Sequence, residues 1–405
     1  MLTPTSLTEQ IAITDGPIFY VLRFFGLAPC SVEKTDGGKI SFHLSIFYCI
    51  YSFTVGTIAV VWGTYGGILS DIWAGNKSIR MKERTDRIVT CADLSSILFL
   101  ACLGIYGAPF RLPNIRKFYN NLLQFDRVLQ PIQVKQFRNH SYLYLGVTVI
   151  LLTIVLVLDV SAWIRFAEQR SDSEYVVWNY LAFYFSYYVI MILQLQYLHG
   201  AKHIELRFKK LNENLAISEM ENSDYKSHKQ PRKMSVRPAI SLKEQKLFDN
   251  YNFKINSPDY VLQLCRVHST LCEAVVQLNE GFGFVVLMIL VSGILHSIET
   301  AYFLLVELSG RNDHLFTILQ FCWIGVHFLR ILIIIQPANS AMREAKITQV
   351  QVCNILCYVN LDDKLRKQLE LFSLQLIHRK VEFHACEICT LDRRLLSAVI
   401  TDCNT

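Results

Sequence analysis

Long apolar stretches alternate with short charged ones along the chain. Six runs are long enough to cross a bilayer: 42–65, 88–107, 142–164, 175–198, 282–306 and 315–336. Each supplies the roughly 20 mostly apolar residues that a hydrocarbon core of about 30 Å requires. A segment in lipid must satisfy its own backbone hydrogen bonds, so these runs predict helices. Beyond the sixth, 347–359 and 365–377 repeat apolar residues at helical spacing but carry too much charge to span. They predict amphipathic helices packed on the ends of the spans. Residues 219–246 are rich in Ser and Lys, and predict a disordered insert or a stretch whose basic residues touch anionic lipid. Residues 1–16 lack the basic start and apolar core of a signal peptide, so the first span is expected to act as the insertion signal.

Composition agrees: 52% of the 405 residues are hydrophobic and 18% are charged, against about 25% charged in a soluble domain. The net charge of +6 follows topology. The amino-terminal tail and the even-numbered loops hold 29 Lys and Arg up to residue 390, against 8 on the odd loops, which predicts a cytoplasmic amino terminus. A glycosylation sequon, Asn76-Lys77-Ser78, falls on the first odd loop, the external side of that arrangement. No basic patch suggests a nucleic-acid partner. The 12 cysteines show no disulfide framework and read mostly as small core residues. The expected organisation is a cytoplasmic segment (1–41), spans one to four (42–198), a cytoplasmic loop with an insert (199–281), spans five and six (282–336), cytoplasmic anchor helices (337–390) and the start of a further span (391–405).

This topology gives each polar residue a depth. The outer half of the second span holds Asp93, that of the third Asp159 and Trp163, and the outer end of the fourth Trp178, Asn179 and Tyr184. On the fifth, His296, Glu299, Thr300 and Phe303 follow i, i+3, i+4, i+7 and share one face, with Tyr302 beside them. On the sixth, Gln320, Trp323, His327 and Arg330 form a stripe. An ionisable group in lipid costs at least about 2.5–3.5 kcal/mol, so such residues face a bundle interior or a water-filled cavity. One polar, aromatic-walled cavity open to the outside accounts for them together. Hydroxyls of a small polyol need fixed donors and acceptors, which Asp, Glu, Asn, Gln and His supply. Plainer roles stay open: an interfacial anchor for Trp178, an interhelical bond for Asp93, a structural ion pair for Arg330, and either role for His327.

Enzyme signatures are absent. There is no Walker loop, dinucleotide fingerprint or HExxH, and no cofactor is expected. Cys386 and Cys389 form a lone CxxC near His378 and His384, short of a zinc framework. Asp86-Arg87-Ile88 imitates the DRY triplet of G-protein-coupled receptors but would sit on the wrong side of the membrane. No internal repeat of the transporter type is visible.

Several segments resemble the insect gustatory receptors, most closely the fructose/sugar receptor branch: LRFFGLAPCSV, DVSAWIRFAEQ, GFGFVVLMILVSGILHSIETAYFLLVELSGRND, LQFCWIGVHFLRILIIIQPANSAMREA and FSLQLIHRKVEFHACEICTLDRRLL. The match is strongest over 281–396. The resemblance implies an all-α membrane protein with the seven-transmembrane-helix gustatory/odorant receptor channel fold and a cytoplasmic N-terminus. It implies a tetrameric ligand-gated cation channel, homomeric or mixed with other gustatory receptor subunits, that binds sugar in an extracellular-side pocket of each subunit. Gln320 and Trp323 match the family's Gln-x-x-Trp, and Tyr302 and Phe303 its fifth-span aromatic pair; these are expected to couple pocket to gate. The family's final span carries a pore-lining Gln-Phe that is not found after Leu391, so the seventh helix is expected to be truncated. A receptor for another tastant such as a bitter compound, a non-conducting auxiliary subunit and a transporter remain as alternatives.

Overall fold

The six apolar runs are helices in the computed structural model, which describes residues 16, 18–34, 40–75, 78, 80–81, 84–129, 134–168, 173–227, 257–310, 314–357 and 361–395. In chain order the helices are α1 (Ile46–Ala74), α2 (Arg84–Tyr106), α3 (Ala108–Leu129), α4 (Val134–Glu168), α5 (Ser173–Ser227), α6 (Pro258–Gly310), α7 (His314–Leu356) and α8 (Asp363–His378). All but α3 and α8 contain a window apolar enough to cross a membrane. α1 and α4 leave large apolar side chains exposed, among them Phe47, Ile58, Val61, Ile150 and Val157. Such faces suit lipid, and the chain is a multi-pass membrane protein.

Three helices are far longer than a span. α5, α6 and α7 run for 55, 53 and 43 residues, so α6 is about 80 Å long at 1.5 Å per residue. This corrects the expected loop over 199–281: residues up to Ser227 continue α5, and those from Pro258 belong to α6. The stripe explains why. Ala201, Ile204, Phe208, Leu211 and Leu215 are all buried at three- and four-residue spacing, while Lys202, Lys209, Lys210 and Glu213 stay at least partly exposed and Arg207 is buried in an ion pair with Asp126. Of the expected insert, 219–227 lies within α5 and 228–246 lies outside the described residues.

The projecting ends form a base with α3 and α8. α8 buries Leu365, Leu369, Phe372 and Leu376, and Gln375 ties it to α6 by donating to the Cys265 carbonyl at 3.0 Å. The region expected to hold separate anchor helices is thus one helix, α8, plus the continuous end of α7, which passes through Pro337 unbroken. The CxxC forms the turn of a hairpin between β3 (His384–Ala385) and β4 (Cys389–Thr390). Cys386 and Glu387 there take φ of 53° and 59°, the left-handed region that tight turns use. Residues 396–405, where the truncated seventh helix was expected, lie outside the described residues.

A second hairpin pairs β1 (Cys30–Lys34) with β2 (Ile40–Leu44), from Cys30 opposite Leu44 to Lys34 opposite Ile40. The first span therefore starts at Ile46 and not at 42. Phe42 lengthened the apolar run because it packs inside the protein, its ring 5.5 Å from Tyr119 of α3. Between Gly63 and Leu69, α1 widens into a π-helix. A Cβ on Gly63 would lie 2.7 Å from Leu98 of α2, and one on Gly67 would overlap the Phe183 ring of α5. Glycine is required at both positions because other helices press directly on the α1 backbone.

Candidate ligand site at one end of the bundle

The polar residues of α2, α4, α5, α6 and α7 converge, with Arg80 from the α1–α2 connection, on one cavity of about 80 Å³. That is several times the space one water needs and far below the roughly 300–1,000 Å³ of drug-sized pockets. Asp93, Asp159, Trp163, Tyr184, Glu299, Thr300, Phe303, Gln320 and Trp323 all line it.

One half is built around Asp159. Its Oδ2 accepts from the Tyr184 hydroxyl at 2.7 Å, and its Oδ1 from the Trp323 indole N–H at 3.1 Å. Arg80 faces the same carboxylate at 3.6 Å and donates to the Tyr184 oxygen at 3.4 Å. The Arg80 guanidinium is held between two rings, 4.0 Å from the centroid of Trp163 and 3.9 Å from that of Tyr180. Such cation–π contacts gain strength when desolvated. Burial opposes the charge on Arg80, but the surrounding Tyr184, Tyr180, Asp159 and Asp71 outweigh it, so its pKa stands above the ordinary arginine value. Tyr180 in turn donates to Asp71 near the end of α1.

The other half is built around His296, which is almost fully buried. Its Nδ1 lies 2.5 Å from Asp93 Oδ1 and 3.2 Å from Glu299 Oε2, and its Nε2 lies 3.1 Å from Ser96 Oγ. The imidazole stacks on His327 at 5.2 Å, and His327 on the Trp323 indole at 5.5 Å. Tyr187 closes the stack, 4.9 Å from Trp323. Thr300 lines the cavity while its hydroxyl donates back to the His296 carbonyl at 2.7 Å. Trp323 is therefore the hinge of the site: its edge holds Asp159 and its face holds the histidine stack.

Three expected site residues fall elsewhere. Trp178 is 62% exposed, stacks on Trp62 at 6.4 Å and uses its carbonyl to accept the Trp62 indole N–H at 2.9 Å. Asn179 donates to Ser70 on α1 at 3.3 Å. Both follow a helical phase that turns them toward α1. Tyr302 points out of the cavity and donates to Asp86 at the start of α2 at 3.1 Å, while its neighbour Phe303 stays inside. His296 does not border the cavity itself but holds two residues that do. Arg330, expected to be an ion pair, is 2% exposed and none of its guanidinium nitrogens makes a hydrogen bond among the described residues. It interacts through space with Tyr187 and Asp93.

Residues the sequence did not single out also line the cavity: Arg80, Thr90, Tyr180, Phe183, Tyr187 and Phe316. Tyr187 was open to detection, since it lies one turn from Tyr184 on the same face. Arg80 was not, because a loop arginine carries no periodicity.

A model of the 7tm chemosensory receptor family matches residues 16–401. The gustatory receptor for sugar taste 43a of Drosophila melanogaster is 30% identical over 403 residues, covering 94% of this chain and 93% of that protein. The putative gustatory receptor 28b of the same organism is 25% identical over 170 residues, covering 39% of this chain and 36% of that protein. Among solved structures, an insect olfactory receptor of Machilis hrabei in complex with eugenol shares the fold with a TM-score of 0.59 at 10% identity, over 97% of this chain and 96% of that one.

Proposed function

The chain belongs to the insect gustatory receptors of the 7tm chemosensory receptor family, a family of receptors and not of enzymes, and from that premise we propose that it is a sugar-sensing subunit of a ligand-gated cation channel, with fructose as its ligand. The observation that carries this reading is Asp159. Its two oxygens already accept one hydroxyl and one indole N–H inside a small cavity. A sugar hydroxyl offers the same donor chemistry, and the indole and phenol faces around it suit the apolar face of a sugar ring. Asp93, Glu299 and Gln320 supply further acceptors and donors on the opposite walls. Buried polar partners of this kind reject an analogue lacking the matching hydroxyl far better than apolar walls do. The small volume argues against bulky bitter compounds, and the name of the 30% identical relative agrees in class.

In this reading the protein sits in the plasma membrane with its amino terminus in the cytoplasm and the cavity on the extracellular side. Subunits assemble as homo- or heterotetramers with other gustatory receptors. Ligand exchanges with the bonds Tyr184 and Trp323 make to Asp159, and the α6–α7 wall carrying Phe303, Gln320 and Trp323 shifts. Tyr302 conveys that shift to α2 through Asp86. Binding opens the channel only by its excess affinity for the open state.

The test is a calcium or current recording from cells expressing the chain, alone and with a second gustatory receptor subunit, under external fructose, glucose and a bitter panel. A fructose-evoked cation current that Glu299→Gln reduces at equal surface level supports the proposal. Surface protein that stays silent in both settings refutes the sugar assignment, and a current changed only on co-expression identifies an auxiliary subunit.

A further inference from the structure

We propose that Asp93, His296 and Glu299 form a binding site for a divalent transition-metal cation, of which Zn²⁺ suits the donor set best, clamping α2 to α6. The three ligating atoms lie within 4.8 Å of one another, and they form the one such cluster of metal-ligating groups among the described residues. The convergence of these atoms makes the case, and the outer contacts orient the ring. The Ser96 hydroxyl has a single hydrogen, and it is donated to the Asp93 carbonyl at 2.9 Å. Toward His296 Nε2 at 3.1 Å that oxygen is then an acceptor, so Nε2 carries a ring hydrogen. The other ring nitrogen, Nδ1, is where carboxylate oxygens of Asp93 and Glu299 converge, at 2.5 Å and 3.2 Å. With no metal bound, a proton on Nδ1 can hold the three groups together; with that proton gone, Nδ1 and the two carboxylates offer a divalent cation three donors within 4.8 Å of one another.

A second observation is independent of that convergence. The other Glu299 oxygen, Oε1, is buried and makes no hydrogen bond among the described residues, in a cavity-lining residue only 6% exposed. One imidazole nitrogen and two carboxylates with a fourth position open to the cavity is the donor pattern of a zinc site that keeps an exchangeable ligand. The Ser96 contact to Nε2 is the outer bond that metal-bound histidines ordinarily make, fixing tautomer and ring orientation. At metal–ligand distances of about 2.0–2.2 Å, tetrahedral ligands stand about 3.4 Å apart. The His296–Glu299 separation already fits, and the Asp93 carboxylate, 25% exposed, has to withdraw by less than about 1 Å. Arg330 interacts through space with Asp93 and offsets part of the negative charge of the two carboxylates.

The test uses the purified full chain with exposed thiols removed (Cys353→Ser, Cys357→Ser, Cys386→Ser) and Co²⁺ as a visible-absorbing stand-in for Zn²⁺. The expected result is one Co²⁺ per chain, displaced by Zn²⁺, with affinity reduced at least tenfold by Asp93→Asn and by Glu299→Gln and left unchanged by Trp178→Ala. The two isosteric variants lie on different helices and are checked for folding by size exclusion, so misfolding of one leaves the other decisive. No absorption at millimolar Co²⁺, or equal affinity in a folded variant, overturns the site. No sugar enters the assay, so its outcome stands apart from that of the fructose recording.

Discussion

The base and the cavity end both bury charges, but they differ in how far a buried charge is paired with an opposite one. At the base Arg207 reaches Asp126 with two nitrogens, at 3.1 Å and 2.5 Å, and spends a third on the carbonyl and ring of His203. Asn212 and Thr348 knit α5 to α7 beside it, with Thr348 donating to the Asn212 oxygen at 2.6 Å. At the cavity end Thr90, Glu299, His327 and Arg330 each keep a buried polar atom without a hydrogen bond. Buried polar groups are normally paired, and those left over call for strain, a bound water or ion, or a functional role to account for them. The contrast separates a platform whose buried ion pair is completed as folded, although Arg111 Nε, Asn120 Oδ1, Gln277 Oε1 and Gln351 Oε1 there make no hydrogen bond among the described residues, from a cavity end where a buried carboxylate and a buried guanidinium are left incomplete.

The largest effect is expected at the platform. Arg207→Ala strips a nearly inaccessible carboxylate of its partner, a change that costs about 3–5 kcal/mol. Surface expression is expected to collapse with or without ligand. If expression survives, that ion pair does not hold the base together. Gly67→Ala forces the Phe183 ring aside and is expected to cost about 1–3 kcal/mol, read as a lower melting temperature together with weaker fructose potency, because that ring also lines the cavity.

Smaller effects probe the cavity side. Trp323→Phe keeps the aromatic face but deletes the donor to Asp159. The fructose concentration for half-maximal response should rise about tenfold, equivalent to about 1.4 kcal/mol, at unchanged surface level; a matching loss of surface protein would return Trp323 to a packing role. Trp178→Ala, at a ring mostly in the open, should move stability and response by no more than about 0.5 kcal/mol. A large loss of fructose response there would place the ligand between α1 and α5 instead.

Much of the site is legible in the residue pattern. Helical spacing alone identifies the α6 face bearing His296, Glu299, Thr300 and Phe303, and the fold gathers that face at the cavity. The same rule misses Arg80, which has no spacing to betray it, and admits Trp178 and Asn179, whose helical phase faces α1. Hydropathy finds the spans and misjudges their ends. It reads the charged continuation of α5 as a loop and draws the Phe42 strand into the first span.

The amino-acid order thus specifies the membrane helices, the family and the set of polar residues at one end of the bundle, because hydrocarbon tolerates nothing but self-bonded apolar helices and few ionisable groups. Which of those polar residues meet is settled by the packing of the helices. Asp159 of α4 finds Trp323 of α7, and Asp93 of α2 finds His296 of α6. Such partners are 164 to 203 residues apart along the chain, and their meeting depends on the rotation and seating of each helix, which local spacing does not encode.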